Sequence, residues 1–147
     1  MYKRILLAYD GSDSGQKALL ASLDIAQWSH AELYLVAVMP NVSSLVMGSA
    51  EGGVFIDPNN GDARVQYQAV LDRGLQQLTA AGVSAKVELL VGESVEEITR
   101  YAKNIDADLI VVGHKHLDGW AARWWRGSSS PSLIEHAPCS VLVSITQ

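Results

Sequence analysis

Leu109 to Ser130 reads LIVVGHKHLDGWAARWWRGSSS, and the folding of that stretch decides where everything else can go. Its first four residues are uniformly apolar, as in a strand buried on both faces. Gly113 then breaks the run, either as a sharp exit from the strand or as a point where backbone can come close to a phosphate. His114, Lys115, His116, Arg123 and Arg126 follow against a single acid, Asp118. The stretch closes on Gly127 and three serines, Ser128, Ser129 and Ser130, where a short helix can begin. Free N–H groups, a helix dipole and hydroxyls at one point favour an anion, so this is a candidate phosphate cradle. Plain helix capping by the serines and ordinary surface charge are the competing explanations.

Working outward, Ser129 to His136 fits a short helix with Pro131 in its first turn, where proline is tolerated. Ser140 to Ile145 follows as a final strand. Upstream, Asp108 to Val112 is a strand preceded by a helix through Ile98, Tyr101, Ala102 and Ile105. Ser94-Val95-Glu96-Glu97 has capping-box spacing and opens that helix. Ala85 to Val91 is another strand, and Asp62 to Ala81 a helix stopped by Gly82. Pro40 to Asn60, with Gly48, Gly52, Gly53 and Pro58, breaks all periodicity and is expected to be a long mobile loop. Before it, Glu32 to Met39 and Ile5 to Tyr9 are apolar runs of strand length. Asp10 to Gly15 is a turn rich in helix-capping residues, leading into a helix from about Ser14 to His30.

The alternation β-α-β-α-β-α-β-α-β predicts an α/β fold, a mainly parallel five-stranded sheet with helices on both faces. Right-handed crossovers favour the strand order 3-2-1-4-5, with its reversal between the first and fourth strands. Ligands in such folds bind beyond the carboxyl ends of the strands at that reversal. Asp10, at the end of the first strand, then meets Gly113 and its loop. Asp10 suits an acceptor for ribose or base donors, a metal-holding carboxylate, or a turn residue satisfying the next helix.

Composition narrows the classes. One chain of 147 residues is expected to form a single domain with a substantial core. A net charge of −5 disfavours nucleic acid as the main partner. No stretch approaches the roughly 18 apolar residues of a membrane span, and the opening residues lack a signal-peptide pattern. The lone Cys139 suits a reducing compartment, so a cytoplasmic location is expected. His114 and His116 have no further metal ligands at familiar spacing. No H-E-x-x-H stretch, dinucleotide fingerprint or P-loop is present, and a hydrolytic triad is not legible from scattered residues. Trp120, Trp124 and Trp125 form either a lid or partner surface, or core beneath the loop.

With these residues in hand, the chain resembles the universal stress protein family from end to end. KRILLAYDGSDSGQKAL at residues 3–19 is similar to that family's first strand and turn. VVGHKHLDG, RGSSSPSLIEHAPCSVLV and especially the ending EHAPCSVLV are similar to its last strands and their loop. The resemblance implies a Rossmann-like domain of the adenine nucleotide alpha hydrolase type and a stress-response regulatory role. It implies adenine nucleotide, ATP or AMP, with or without Mg2+. By position, Ala8, Tyr9 and Asp10 line the adenosine pocket with Val38 against the base. Gly113, Lys115 and His116 run along ribose and phosphates, and Gly127, Ser128, Ser129 and Ser130 cap the phosphates. The family's nucleotide loop is Gly, two residues, Gly, nine residues, Gly-[Ser/Thr]. Here His116 replaces the second glycine and ten residues, Leu117 to Arg126, precede Gly127. The resemblance also implies a homodimer through the last strand at Val141, Leu142, Val143 and Ile145.

A branch of the family lacks nucleotide and works through protein contacts, for which Trp120–Trp125 and residues 40–60 are the candidate surface. Any ATP hydrolysis is expected to be slow, since no base or arginine finger is evident. The turn Asp10–Ser14 is only faintly similar to the S-G-G-x-D-S loop of ATP pyrophosphatases, whose glycine pair it lacks.

Overall fold

The structure is a computed structural model that describes residues 1–40, 61–115 and 133–146. Strands β1 (Arg4–Ala8), β2 (Glu32–Met39), β3 (Ala85–Val91), β4 (Leu109–Lys115) and β5 (Ser140–Thr146) alternate with helices. The helices are α1 (Asp13–Ser29), α2 (Gly61–Ala80), α3 (Ser94–Asn104) and α4 (Leu133–His136). All strand pairs are parallel and the order is β3-β2-β1-β4-β5, as the alternation predicted. Ile5 is level with Leu33 on one side and with Leu109 on the other, which fixes β1 as the central strand.

The pleat of β1 divides the core in two. Ile5, Leu7 and Tyr9 face Ala18, Leu19 and Ala26 of α1 and Leu71 and Leu78 of α2. Leu6 and Ala8 face Val95, Ile98 and Ala102 of α3 and Leu133 of α4. Each fully buried leucine or isoleucine on these faces contributes about 1.5–3 kcal/mol relative to exposure. Asp108 ties the starts of β1 and β4 together. Its Oδ2 accepts from the Lys3 N–H at 2.8 Å and its Oδ1 from the Arg4 N–H at 3.0 Å. Its own N–H donates to the Arg4 carbonyl at 3.0 Å.

Helix ends follow local chemistry. Ser12 caps α1, its Oγ accepting from the Gly15 N–H at 3.1 Å. Gly82 stops α2 as expected, at φ 82°, with the Val83 N–H reaching the Leu78 carbonyl at 2.9 Å. At α3 the expectation needs correcting, because the capping residue is Glu93 and Ser94 already lies within the helix. The Glu93 carboxylate accepts from the Glu96 N–H at 2.8 Å. That bond satisfies one of the free N–H groups of the first turn, and it moves the boundary back one residue.

The fourth strand also runs further than expected. It continues through Gly113, His114 and Lys115, paired with Ser144, Ile145 and Thr146. Gly113 is therefore no exit from the strand, and it serves a close approach between strand and helix. A Cβ there would overlap the Ser14 carbonyl and come within 2.7 Å of the Gly15 nitrogen. The first turn of α1 thus rests directly on β4. Of the expected helix at 129–136, the described part is α4; residues 129–132, like the expected loop from 41 to 60, lie outside the described residues. Among the described residues, no helix is long and apolar enough to cross a membrane.

Three stability outcomes follow from these contacts. Asp108→Ala leaves two backbone donors to water and is expected to cost about 1–2 kcal/mol in urea unfolding. Gly113→Ala should cost about 1–3 kcal/mol because α1 must lift from the sheet. Gly82→Ala, where a Cβ meets nothing within 4 Å, should cost only the left-handed strain of about 1–2 kcal/mol. A temperature-shift assay that ranks Gly82→Ala well above Gly113→Ala in damage would refute the packing role of Gly113.

Candidate functional site

Strand order reverses between β1 and β4, since β1 connects onward to β2 on one side and pairs β4 on the other. The turn after β1 stands at the carboxyl end of that reversal. Asp10 organises it. Its Oδ1 accepts from the Ser12 N–H at 3.0 Å and from the Ser12 hydroxyl at 2.5 Å. The Ser12 and Ser14 hydroxyl oxygens are 3.1 Å apart, extending the chain of hydrogen bonds into α1. One carboxylate oxygen of Asp10 therefore holds the turn, and the side chain is exposed. The structural explanation of Asp10 is correct for that oxygen.

Ala8, Tyr9, Asp10 and Val38 do come together. They line one indentation of about 40 Å3, closed by Val36, Ser94 and Ile98. Its apolar wall is built by β1 and β2 side chains on the α3 face, where Val36 and Val38 share a side by strand alternation. Ser94 enters from the first residue of α3, and Ile98 from one turn further on.

Tyr9 borders the indentation, but its ring belongs to the opposite face of the sheet. There it packs beneath Gly74, and its hydroxyl donates to Gln16 Oε1 at 3.0 Å. Gln16 in turn exchanges amide hydrogen bonds with Gln77, joining α1 to α2 above the ring. Its ring is thereby turned away from the indentation.

The carboxyl end of the sheet is locally acidic. Asp13 stands in the first turn of α1, and Glu96 and Glu97 in that of α3 beside the capping Glu93. Tyr67 of α2 is half-buried, and burial together with the nearby Asp10 charge pushes its phenol above the ordinary value. Sequence spacing marked Tyr67 only as a helix-face residue, and Val36, Ser94 and Ile98 were not among the expected site residues. Val36 was accessible from its i, i+2 relation to Val38. The others depend on how α3 docks, which no local pattern encodes.

Gly113 lies in β4 against the first turn of α1, one strand over from the indentation. Lys115 closes β4 opposite Thr146. His116, Gly127, Ser128, Ser129 and Ser130 lie outside the described residues, as do Trp120–Trp125. Of the expected dimer strand, Leu142 and Ile145 are exposed, and Val141 and Val143 pack partly into the core.

The comparisons with known proteins agree on one family. The sequence model of the universal stress protein family matches residues 1–144. The universal stress protein YxiE of Bacillus subtilis is 30% identical over 149 aligned residues, covering 97% of this chain and 99% of that protein. A crystal structure of a family protein from Burkholderia pseudomallei is 32% identical with a TM-score of 0.71, over 97% of this chain and 95% of that one. The universal stress protein of Archaeoglobus fulgidus in complex with dAMP superimposes with a TM-score of 0.69 at 22% identity, over 97% of each chain. The parallel sheet of order 3-2-1-4-5, the capped turn at its switch point and these matches together make the chain a member of the universal stress protein family.

Proposed function

We propose that this protein is a cytoplasmic, single-domain stress-response regulator that binds an adenine nucleotide, ATP or AMP, at the β1/β4 switch point. The observation that carries the proposal is the meeting of Ala8, Asp10 and Val38 around one indentation beyond the strand ends. Apolar walls from Val36, Val38 and Ile98 suit the faces of a purine, and Asp10 suits its amine or the ribose hydroxyls. The Archaeoglobus fulgidus relative holds dAMP, which supports the ligand class. The residues fit a nucleoside in kind. The space is smaller than a base, so binding must part Val38 from the start of α3.

Phosphate recognition is assigned elsewhere. At this end the N-termini of α1 and α3 already carry Asp13, Glu93, Glu96 and Glu97, which compete with an anion for the same positive dipole ends. The phosphates then fall to Gly127, Ser128, Ser129 and Ser130, with Lys115 and His116 along the way and Mg2+ accompanying ATP. A second reading is favoured by the small size of the indentation and by histidine at position 116. On it, the protein belongs to the branch that acts through protein contacts, with Trp120–Trp125 as the partner surface.

A calorimetric titration of nucleotide-stripped protein with ATP and magnesium separates the two. Micromolar affinity is expected, reduced at least about tenfold, or ~1.4 kcal/mol, by Gly127→Val and by Asp10→Ala. Absence of heat at several temperatures would establish the second reading.

Assembly is proposed on the contrast between the two sheet edges. The β3 edge carries exposed Lys86 and Glu88, charges that discourage strand addition. The β5 edge instead exposes Leu142 and Ile145. A homodimer through β5, using Val141, Leu142, Val143 and Ile145, covers that edge. Light scattering should give a dimer mass for the native chain and a monomer mass for the double variant Leu142→Lys, Ile145→Lys. A native chain that stays monomeric at high concentration would sink the dimer.

A further inference from the structure

A larger hollow lies at the opposite end of the sheet from the Asp10 turn. Its volume is about 570 Å3, within the ordinary range for small-molecule sites. The floor is apolar, with Ala26 and Leu33 buried and Ala85 half-buried. Gln27, His30 and Ser84 supply polar groups at the rim.

Electrostatics gives this hollow a sign. In a parallel sheet each crossover helix runs against the strands, so α1 and α2 both end here. The residue after α1, His30, closes that helix at φ 58°, and Gly82 closes α2 at φ 82°. Both line the hollow. Each helix brings roughly half a negative charge to its carboxyl end. Neither last turn contains a basic residue to offset it. The two charged side chains bordering the hollow are engaged elsewhere. The Lys86 ammonium sits 5.4 Å from the centre of the Tyr34 ring, which belongs to the α3 face. The Glu32 carboxylate accepts from the Tyr34 hydroxyl at 2.9 Å and lies 3.9 Å from Arg4. The converging helix ends, with no basic residue in either last turn, are therefore the source of negative charge that faces the hollow.

We propose that this hollow is a binding site for a small organic cation, an ammonium group on an apolar body about the size of an aromatic ring. The ammonium faces the carboxyl ends of α1 and α2. The body covers Ala26, Leu33 and Ala85; Gln27 Nε2 already donates to the Ala81 carbonyl at 3.1 Å, which leaves its Oε1 and the Ser84 hydroxyl to accept the remaining ammonium hydrogens. This site is separate from the switch point, and it stands whether or not the switch point takes nucleotide.

Amide chemical shifts of the full chain, titrated with benzylamine, benzyl alcohol and benzoate, test the proposal. These probes share a ring and differ in charge. Benzylamine is expected to shift residues 26–33 and 82–86 with saturation, ahead of the alcohol, with benzoate weakest. Gln27→Lys places a tethered ammonium in the last turn of α1 and should weaken benzylamine about threefold to tenfold. Ala26→Leu fills the floor and should abolish binding; if that variant fails to fold, the charge-reversed probe series and Gln27→Lys decide. Benzoate binding as tightly as benzylamine would overturn the proposal. So would unsaturable shifts scattered over the acidic surface, or no shift from any probe.

Discussion

The first turn of α1 lies so close on β4 that no side chain fits between them, and the geometry of the switch point depends on that approach. Gly113 leaves room for the Ser14 carbonyl and the Gly15 nitrogen. Gly15 leaves room for Asp10 on its other side, where a Cβ would come within 2.5 Å of Oδ1. Two absent methyl groups thus let β4, the helix turn and the carboxylate stack in sequence. A larger residue at either position pushes α1 outward along its whole length, loosening Ala18 and Leu19 from the sheet. The cost is then felt in the core as well as in the turn.

Around that contact the sheet is graded in burial. Ile5, Leu6 and Leu7 of the central strand have no exposed surface, whereas both edge strands alternate exposed and partly buried residues. The edges differ in kind: one is charged, and the other exposes aliphatic side chains. Lys17 reaches across to the Ile145 carbonyl at 2.7 Å, so α1 is also attached to the far end of β5. The same helix therefore touches the central turn, β4 and the outer strand. Any adjustment of the β5 edge is mechanically close to the Asp10 turn.

The fold was legible where a strand announces itself twice, by an apolar run and by the turn chemistry after it. Ile5 to Tyr9 before Asp10-Gly11-Ser12 needed no tertiary information. The misplaced details arise where two local rules compete. Ser94 fits the cap by spacing, yet Glu93 occupies that role, its carboxylate accepting from the Glu96 N–H. Gly113 looked like a strand terminator, and pairing with β5 overrode it. In the site, Ala8, Asp10 and Val38 were readable from strand ends and the family resemblance. Ser94 and Ile98 depend on the docking of α3 against β1 and β2. A contact between elements distant in the chain leaves no periodic trace in either one.

The two ends of the sheet are electrostatically unlike, and connectivity alone makes them so. Right-handed parallel crossovers send the positive ends of α1 and α3 toward Asp10 and the negative ends of α1 and α2 toward His30 and Gly82. At the Asp10 end the dipoles are already answered by Asp13, Glu93, Glu96 and Glu97. That end therefore favours hydrogen-bond donors such as hydroxyls and amines over a bare anion. At the other end no basic residue answers the dipoles in either last turn. The imbalance follows from the sequence choosing acids for one set of helix ends and nothing for the other. Both strand ends of this acidic chain therefore disfavour a bare anion, one through its acids and the other through helix ends that no basic residue answers.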